Sequence, residues 1–342
     1  MRRKKVNAGQ ILSRLLAAWP KGKKRRLPKT VPRRKIRLLL LLALNLLVLG
    51  GGVVWYAFQP QERQEEVRFL CRNYFARNRD ISLPELACDI WNMYYGREFV
   101  ACDYGPGADP VYGGLPRQTG AGAAAGLRVL RNQGYVVGYD EIRRTPAWVA
   151  YRLFDVQEEP QSSARPTAFL VDGRSLAQVR SEDYTGSGFD RGHLAPNYGI
   201  ARCYGPQAQE GTFLMTNIVP QRHAFNAGVW KKLEMREAVN FPGRCREIWV
   251  LTGPVFRNSP ARELPSGLPV PDAFYKIVLD EQDGRVRALS FLFDHNADEG
   301  RPLADFLCSI DQIEALTGLD FCPQLPETVQ RELESQVSTR CW

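Results

Sequence analysis

Acidic side chains are missing from the first 37 positions, which carry fifteen Lys and Arg. That absence makes the overall charge of +9 misleading: 31 of the 46 basic residues remain beyond Arg37, against 37 acidic ones, a net of −6. A globally basic binding surface is therefore excluded for the rest of the chain, and any nucleic-acid contact must use a local patch. Charge of either sign is then missing from Leu38 to Phe58, 21 residues in which Asn45 is the one strongly polar side chain. Histidine is scarce, with three in 342 residues. The eight cysteines include no CxxC pair, so the spacing of a structural zinc site is absent. No internal repeat is visible.

The uncharged run has a direct physical reading. An apolar helix of that length spans a hydrocarbon core of roughly 30 Å. Its cationic flank lies on one side, which by the positive-inside rule puts the N-terminus in the cytoplasm and everything after Gln59 outside it, periplasmic or at the cell surface. Trp55-Tyr56-Ala57-Phe58 is bulky where a signal-peptide cleavage site has small residues, so an uncleaved anchor is favoured. Arg33-Arg34 weakly suggests a twin-arginine signal, and an Arg-rich, acid-poor N-terminus also fits a mitochondrial presequence, although the Leu run fits that less well. All eight cysteines, Cys71, Cys88, Cys102, Cys203, Cys245, Cys308, Cys322 and Cys341, follow the apolar run. An even number on the exported side reads as disulfides, of undetermined pairing, in an oxidising compartment.

Beyond the anchor, Glu62–Asn78 and Leu83–Tyr95 read as helices, and GPGADPVYGGLPRQTGAGAAAG as linker or loop. From about Leu127 strands dominate. YVVGYDE and AWVAYRLFDV suggest an antiparallel pair, and GTFLMTNIVP and EIWVLTGPVF read as buried strands. AFYKIVLD and RVRALSFLF flank a hairpin turn at Glu281-Gln282-Asp283-Gly284. Ala224–Val239 and Asp305–Leu316 carry a helical period. Mixed strands and helices give an α+β fold class.

The chemistry concentrates in two stretches, FDRGHLAP around His193 and TNIVPQRHAFNAGVWKKLE from Thr216 to Glu234. One His, one Arg, one Asn and one Glu suffice to cut a phosphodiester with one divalent cation: the imidazole takes a proton from water, the hard cation takes oxygen ligands, and the guanidinium offsets phosphate charge. On a straight helix Glu234 stands about 80° round and roughly 12 Å along from Asn226, too far for both to ligate one ion directly.

These stretches, with GYVVGYDEIRRTPAWVAYRL, VLTGPVF, PDAFYKIVL and IEALTGLDFCPQLP, closely resemble the DNA/RNA non-specific endonucleases, the ββα-metal nucleases; the resemblance runs from about Gly134 to Pro326. It implies a ββα-metal (His-Me finger) nuclease with a central mixed or antiparallel sheet flanked by helices, preceded here by one transmembrane helix. It implies His193 as general base, Asn226 as the magnesium ligand with manganese as a substitute, and Glu234 acting on the metal through water. An upstream Arg stabilises the transition state in that family; Arg165 is the match, with Arg180 its rival, and Arg191 is a further candidate for phosphate. Asn217 supports the site. Asp190 is expected to orient Arg191 or its loop. His223 is open between substrate contact and simple exposure. The partners are DNA and RNA, and the membrane through Leu38–Phe58; the oligomeric state is open, a homodimer included.

The resulting organisation is a basic segment 1–37, an anchor 38–58, a Cys-containing extension and linker 59–126, the endonuclease domain 127–326 and a C-terminal tail 327–342. A second hypothesis is a catalytically idle relative that binds nucleic acid or an envelope component. Such a relative would be free to lose its base or metal ligand, yet His193, Asn226 and Glu234 are all present.

Overall fold

The computed structural model describes residues 33–342 apart from 77–78, 96–97, 103, 106, 120–125, 158–164, 258–259 and 299. Most of the basic segment and the AGAAAG run thus lie outside the described residues. The chain divides into two units, Met1–Gln64 and Glu65–Trp342.

In the first unit, helix α1 spans Arg33–Ala57. Its apolar part, Ile36–Ala57, has a mean hydropathy of 2.4 and none of it is buried. Length and composition suit a membrane anchor or a signal sequence. Asn45 donates its side-chain amide to the Leu41 carbonyl at 2.7 Å. That bond satisfies the one polar side chain of the run within the helix itself, as a hydrocarbon environment requires.

Helix α2, Gln61–Phe75, crosses the boundary into the second unit, and α3 follows at Leu83–Tyr95. The strands are β1 Val100–Ala101, β2 Arg117–Gln118, β3 Arg128–Asn132, β4 Tyr135–Asp140, β5 Thr145–Phe154, β6 Asp190–His193, β7 Ile218–Gln221, β8 Glu247–Val255, β9 Ala273–Gln282, β10 Arg285–Asp294, β11 Leu307–Cys308 and β12 Leu319–Asp320. The main sheet runs β1-β10-β9-β8-β5-β4-β3, with β11 also on β10, and every pairing is antiparallel. The expected hairpin is present between β9 and β10. Asp283 and Gly284 both have positive φ, 49° and 70°, as a two-residue turn of the favoured twist demands.

Both faces of this sheet are buried, and the strand period of two sorts side chains between them. Val149, Tyr151, Leu153, Ile248, Val250, Phe274 and Val278 face one core. Trp148, Ala150, Trp249, Leu251, Tyr275, Ile277 and Leu279 face the other. The first core is covered by α4 (Asn197–Tyr204), α5 (Pro206–Gly211) and a helical run over residues 223–245, here α6. The second is covered by α7 (Ile310–Thr317) and α8 (Glu327–Ser335), through Ile310, Ile313, Val329 and Leu333. Trp342 is fully buried in the first core.

Three expectations are corrected. GTFLMTNIVP is a strand only from Ile218, in a strand that runs on to Gln221; Met215–Asn217 form a 3-10 turn that brings Asn217 back toward residue 195. The C-terminal helix starts at Ile310 rather than Asp305, because Ser309 and Gln312 form a reciprocal capping box there. None of the eight cysteines is disulfide-bonded. Cys203 Sγ meets the Phe154 carbonyl, Cys245 lies against Arg287, and Cys102, near Tyr112, shares the second core with Cys308 and Cys322 without bonding to either. What pins residues 65–95 to the end of α6 and to the residue after β5 is instead ionic and polar. Arg244 forks onto Asp89 with two bonds of 2.7 Å, Arg79 pairs with Asp155 at 2.7 Å, and Asn73 donates to the Gly243 carbonyl at 2.8 Å.

Candidate active site

Strands β6 and β7 form an antiparallel ribbon apart from the main sheet, with His193 opposite Ile218 and Asp190 opposite Gln221; α6 follows directly. This ribbon and helix carry the site. Gly192 is required by their packing, since a Cβ there would lie 2.1 Å from the Gln221 side-chain oxygen. The helix is not straight. Asn226–Trp230 and Arg236–Asn240 are π turns, and Gly228 departs from helical geometry (φ −94°, ψ −112°). The straight-helix separation expected for Asn226 and Glu234 therefore does not apply, because wider turns change the angular phase between them.

An open cleft of about 280 Å³ is lined by Arg165, Arg191, His193, Asn226 and Glu234, together with Asn197 and Lys231. The structure thus brings together five of the six site residues expected from the sequence. The sixth, Asn217, is fully buried behind them. Its side chain accepts from Ala195 N–H at 2.9 Å and donates to the Ala195 and Thr212 carbonyls, fixing the backbone that follows His193. Of the two rival arginines, Arg165 lies at the cleft with its guanidinium over the Phe213 ring; Arg180 is exposed and outside the lining.

His193 is packed against the Phe213 and Phe169 rings at 4.8 and 5.5 Å, and the Trp230 indole donates to its carbonyl at 3.2 Å. Its Nε2 is buried without a hydrogen-bond partner. Burial, and then the positive charge of Arg165, lower its pKa to about 3, so the ring is neutral at physiological pH. Burial raises Glu234 to about 7, against the opposing pull of Lys276, and its Oε1 is also unpartnered.

Of the two expectations for Asp190, that it orients Arg191 or its loop, the first is not met. Alternation along β6 separates them. Arg191 donates twice to the Ser181 carbonyl, at 2.6 and 3.2 Å, whereas Asp190 Oδ2 meets Asn226 Nδ2 at 3.0 Å and His223 Nδ1 at 2.9 Å. With its amide nitrogen held, Asn226 keeps its carbonyl oxygen as the remaining ligand atom. His223 is exposed and belongs to this triad.

Two further residues escaped the sequence reading. Asn197, four positions beyond His193, lines the cleft with its Oδ1 buried and unpartnered; the motif DRGHLAPN contained it, but no chemistry singled it out. His295 accepts from Arg222 N–H at 2.8 Å and faces the Pro271 carbonyl at 2.7 Å through Nδ1. Burial lowers its pKa to about 4, so it acts as a neutral strut at the start of α6.

The donor set fits a hard divalent cation. Around the cleft stand the carbonyl oxygens of Asn226 and Asn197 and the carboxylate of Glu234, with two of these atoms buried and unsatisfied. Unpartnered oxygens converging on a polar cleft are what an oxygen-preferring ion and its waters would satisfy.

Comparisons with known proteins agree with this geometry. A family profile for DNA/RNA non-specific endonucleases matches residues 117–328. A nuclease of Nostoc sp. is 30% identical over 223 residues, covering 61% of this chain and 78% of that protein. Human mitochondrial endonuclease G is 30% identical over 215 residues, covering 58% of this chain and 71% of that protein. The mitochondrial nuclease EXOG of Danio rerio is 32% identical over 209 residues, covering 56% of this chain and 60% of that protein. A chain in the crystal structure of the EndoG/EndoGI complex superposes with a TM-score of 0.53 at 23% identity, over 59% of this chain and 88% of that one. It shares the fold: an antiparallel sheet flanked by helices. With the profile covering more than half its length, and carrying the ribbon and helix that build the cleft, the chain belongs to the DNA/RNA non-specific endonuclease family.

Proposed function

We propose that the chain hydrolyses phosphodiester bonds of DNA and RNA without sequence preference, with His193 as general base, magnesium held through Asn226, and Arg165 offsetting phosphate charge. The observation that carries this reading is the convergence of these side chains with Glu234 on one cleft.

His193 is neutral and its Nε2 is unpartnered, which is the state a proton acceptor needs. Burial first, and then the charge of Arg165, suppress its basicity. A phosphate entering beside Arg165 cancels that field, so the imidazole becomes a stronger base when substrate is bound. Arg165 presents paired donors to phosphate oxygens. Arg191, tied to Ser181, adds fixed positive charge on the same side. Asp190 holds the Asn226 amide, and Glu234 would order water at a bound cation. A divalent cation bound at Asn226 would supply Lewis-acid polarisation of the phosphate and stabilise the leaving oxygen. Manganese is expected to substitute, because it shares the preference for oxygen ligands. The chain is held to the membrane by Leu38–Phe58, with residues 1–37 cytoplasmic and the nuclease outside.

Cleavage of plasmid DNA and of RNA, with and without chelator, tests the activity. Cleavage that stops in chelator and returns with magnesium or manganese is the expected result; cleavage in excess chelator, or none under any condition, refutes the proposal. Protease added to intact cells should digest the chain beyond Gln59 and spare residues 1–37; the reverse protection refutes the orientation.

A further inference from the structure

On the opposite face of the sheet from the cleft, three carboxylates meet without a cationic side chain among the described residues. Asp311 and Glu314 stand three apart on α7, on one helix face, and Glu334 reaches them from α8. One oxygen from each lies within 4.8 Å of the other two. Among the described residues no Lys or Arg forms an ion pair with any of them. Glu334 is 8% exposed, and its Oε1 has no hydrogen-bond partner. Asp320, at the end of β12, adds a fourth negative charge to the group's surroundings.

Clusters of surface acids are common and need no ligand. This one differs because its deepest member is buried, unpaired and directed at the other two. A buried carboxylate without hydrogen bonds is costly, and like charges around it raise that cost. Burial, then Glu314, Asp311 and Asp320, push Glu334 up to about 8; burial also pushes Glu314 to about 7. A cation would remove the cost, and the dimensions allow one. Two oxygens bound to the same calcium ion at 2.3–2.6 Å can be no more than about 5 Å apart, a limit all three pairs meet, and a side-chain shift of a few tenths of an ångström brings all three onto one centre. Asp311 is exposed and Glu314 half-buried, which leaves an open side where water completes a shell of six to eight ligands. Magnesium demands tighter octahedral geometry and sheds its waters reluctantly, so calcium fits an unequal, partly buried set better.

We propose that Asp311, Glu314 and Glu334 form a calcium site that clamps α8 onto α7. The site is structural and lies apart from the catalytic cleft. The ion bridges the two helices whose apolar faces, Ile310 and Ile313 with Val329 and Leu333, close the second core. Its occupation makes the fold's stability depend on calcium.

The test is thermal unfolding of the full chain in detergent at pH 8, stripped with chelator, dialysed, and titrated with calcium chloride. Calcium at about 1 mM should raise Tm by about 3–8 °C, as a ligand that binds only the folded state does. Glu334→Gln, which keeps the shape of the side chain, and Asp311→Asn, at the exposed end, should each abolish most of that shift. Asn226→Ala should retain it. Isothermal titration calorimetry should give one calcium site fewer in Glu334→Gln than in the unsubstituted chain. A chain whose Tm ignores calcium overturns the proposal. So does a shift that survives either carboxylate substitution, or one that disappears in Asn226→Ala and therefore belongs to the cleft.

Discussion

Behind the cleft, Lys276, Glu237 and Tyr151 share hydrogen bonds of 2.7–2.9 Å in a fully buried part of the core. In the cleft, His193 Nε2, Asn197 Oδ1 and Glu234 Oε1 are buried and bonded to nothing. The two groups are close neighbours. The Lys276 ammonium sits 4.5 Å from the Trp230 ring centre, and the same indole holds the His193 carbonyl. Each unsatisfied buried group costs about 1–3 kcal/mol, so the difference between the regions is one of purpose. The core pairs its opposite charges through Glu237 Oε2, leaving only Glu237 Oε1 unpartnered, whereas the cleft carries three unpartnered polar atoms on three different residues. The paired set also serves the open one, since Lys276 opposes the rise in Glu234.

The comparison breaks most visibly at the open side. His193→Ala should lower turnover by about 10²–10⁴-fold, the usual worth of a general base, while circular dichroism stays near native. Cleavage at a normal rate by the folded variant would remove His193 from the mechanism. On the paired side, Lys276→Met should leave Glu237 buried without a counter-charge and cost about 3–5 kcal/mol in urea unfolding. The double variant Lys276→Met/Glu237→Leu should recover most of that loss. If the single variant proved as stable as the parent, the network would be no pillar of this core.

Much of this contrast was legible in the sequence, and the unread part has a physical cause. Residues 190–193 and 216–234 announced the chemistry because its residue types stand in two short runs, and the β9–β10 hairpin was written in Asp283-Gly284. The bond from Asp190 to Asn226 crosses 36 positions and depends on how the ribbon docks against α6, which no local pattern encodes. Likewise, the π turns of α6 follow from tertiary packing and the kink at Gly228. His295 reaches Arg222 from the far end of β10, 73 positions away. Cysteine parity suggested disulfides, but parity carries no distance information, and all eight thiols are free, even the three that share the second core. Arg165 and Arg180 were equal by residue type; only the fold sets one of them at the cleft.

Asp190 sharpens the comparison at the next level down. It acts through Asn226, so Asp190→Ala should weaken magnesium affinity by about 10–100-fold, the usual cost of losing a partner that orients a ligand. Turnover at saturating magnesium should change much less. Titrating activity with metal separates the two quantities. An unchanged magnesium midpoint would mean that Asn226 needs no help from Asp190, or is not the ligand.

The smallest effect concerns the pH at which the open side becomes costly. Glu234 has its folded pKa raised from 4.5 to about 7. The stability it contributes is therefore fully present below about pH 4.5 and lost as pH rises through 7, because the unpaired carboxylate must then ionise in place. In chelator, the parent chain should weaken between pH 5.5 and pH 8 more than Glu234→Gln does. At pH 8 the variant should be the more stable by on the order of 1–2 kcal/mol. Glu314 and Glu334 are raised into the same window, to about 7 and 8, so the difference between the two chains, and not the slope of either, reports on Glu234. Magnesium should shrink that difference, since a cation in the cleft favours the ionised carboxylate. Parallel pH profiles for the two chains in chelator would show that Glu234 is solvated well enough to ionise freely, and the cleft would then have one unpaired group fewer.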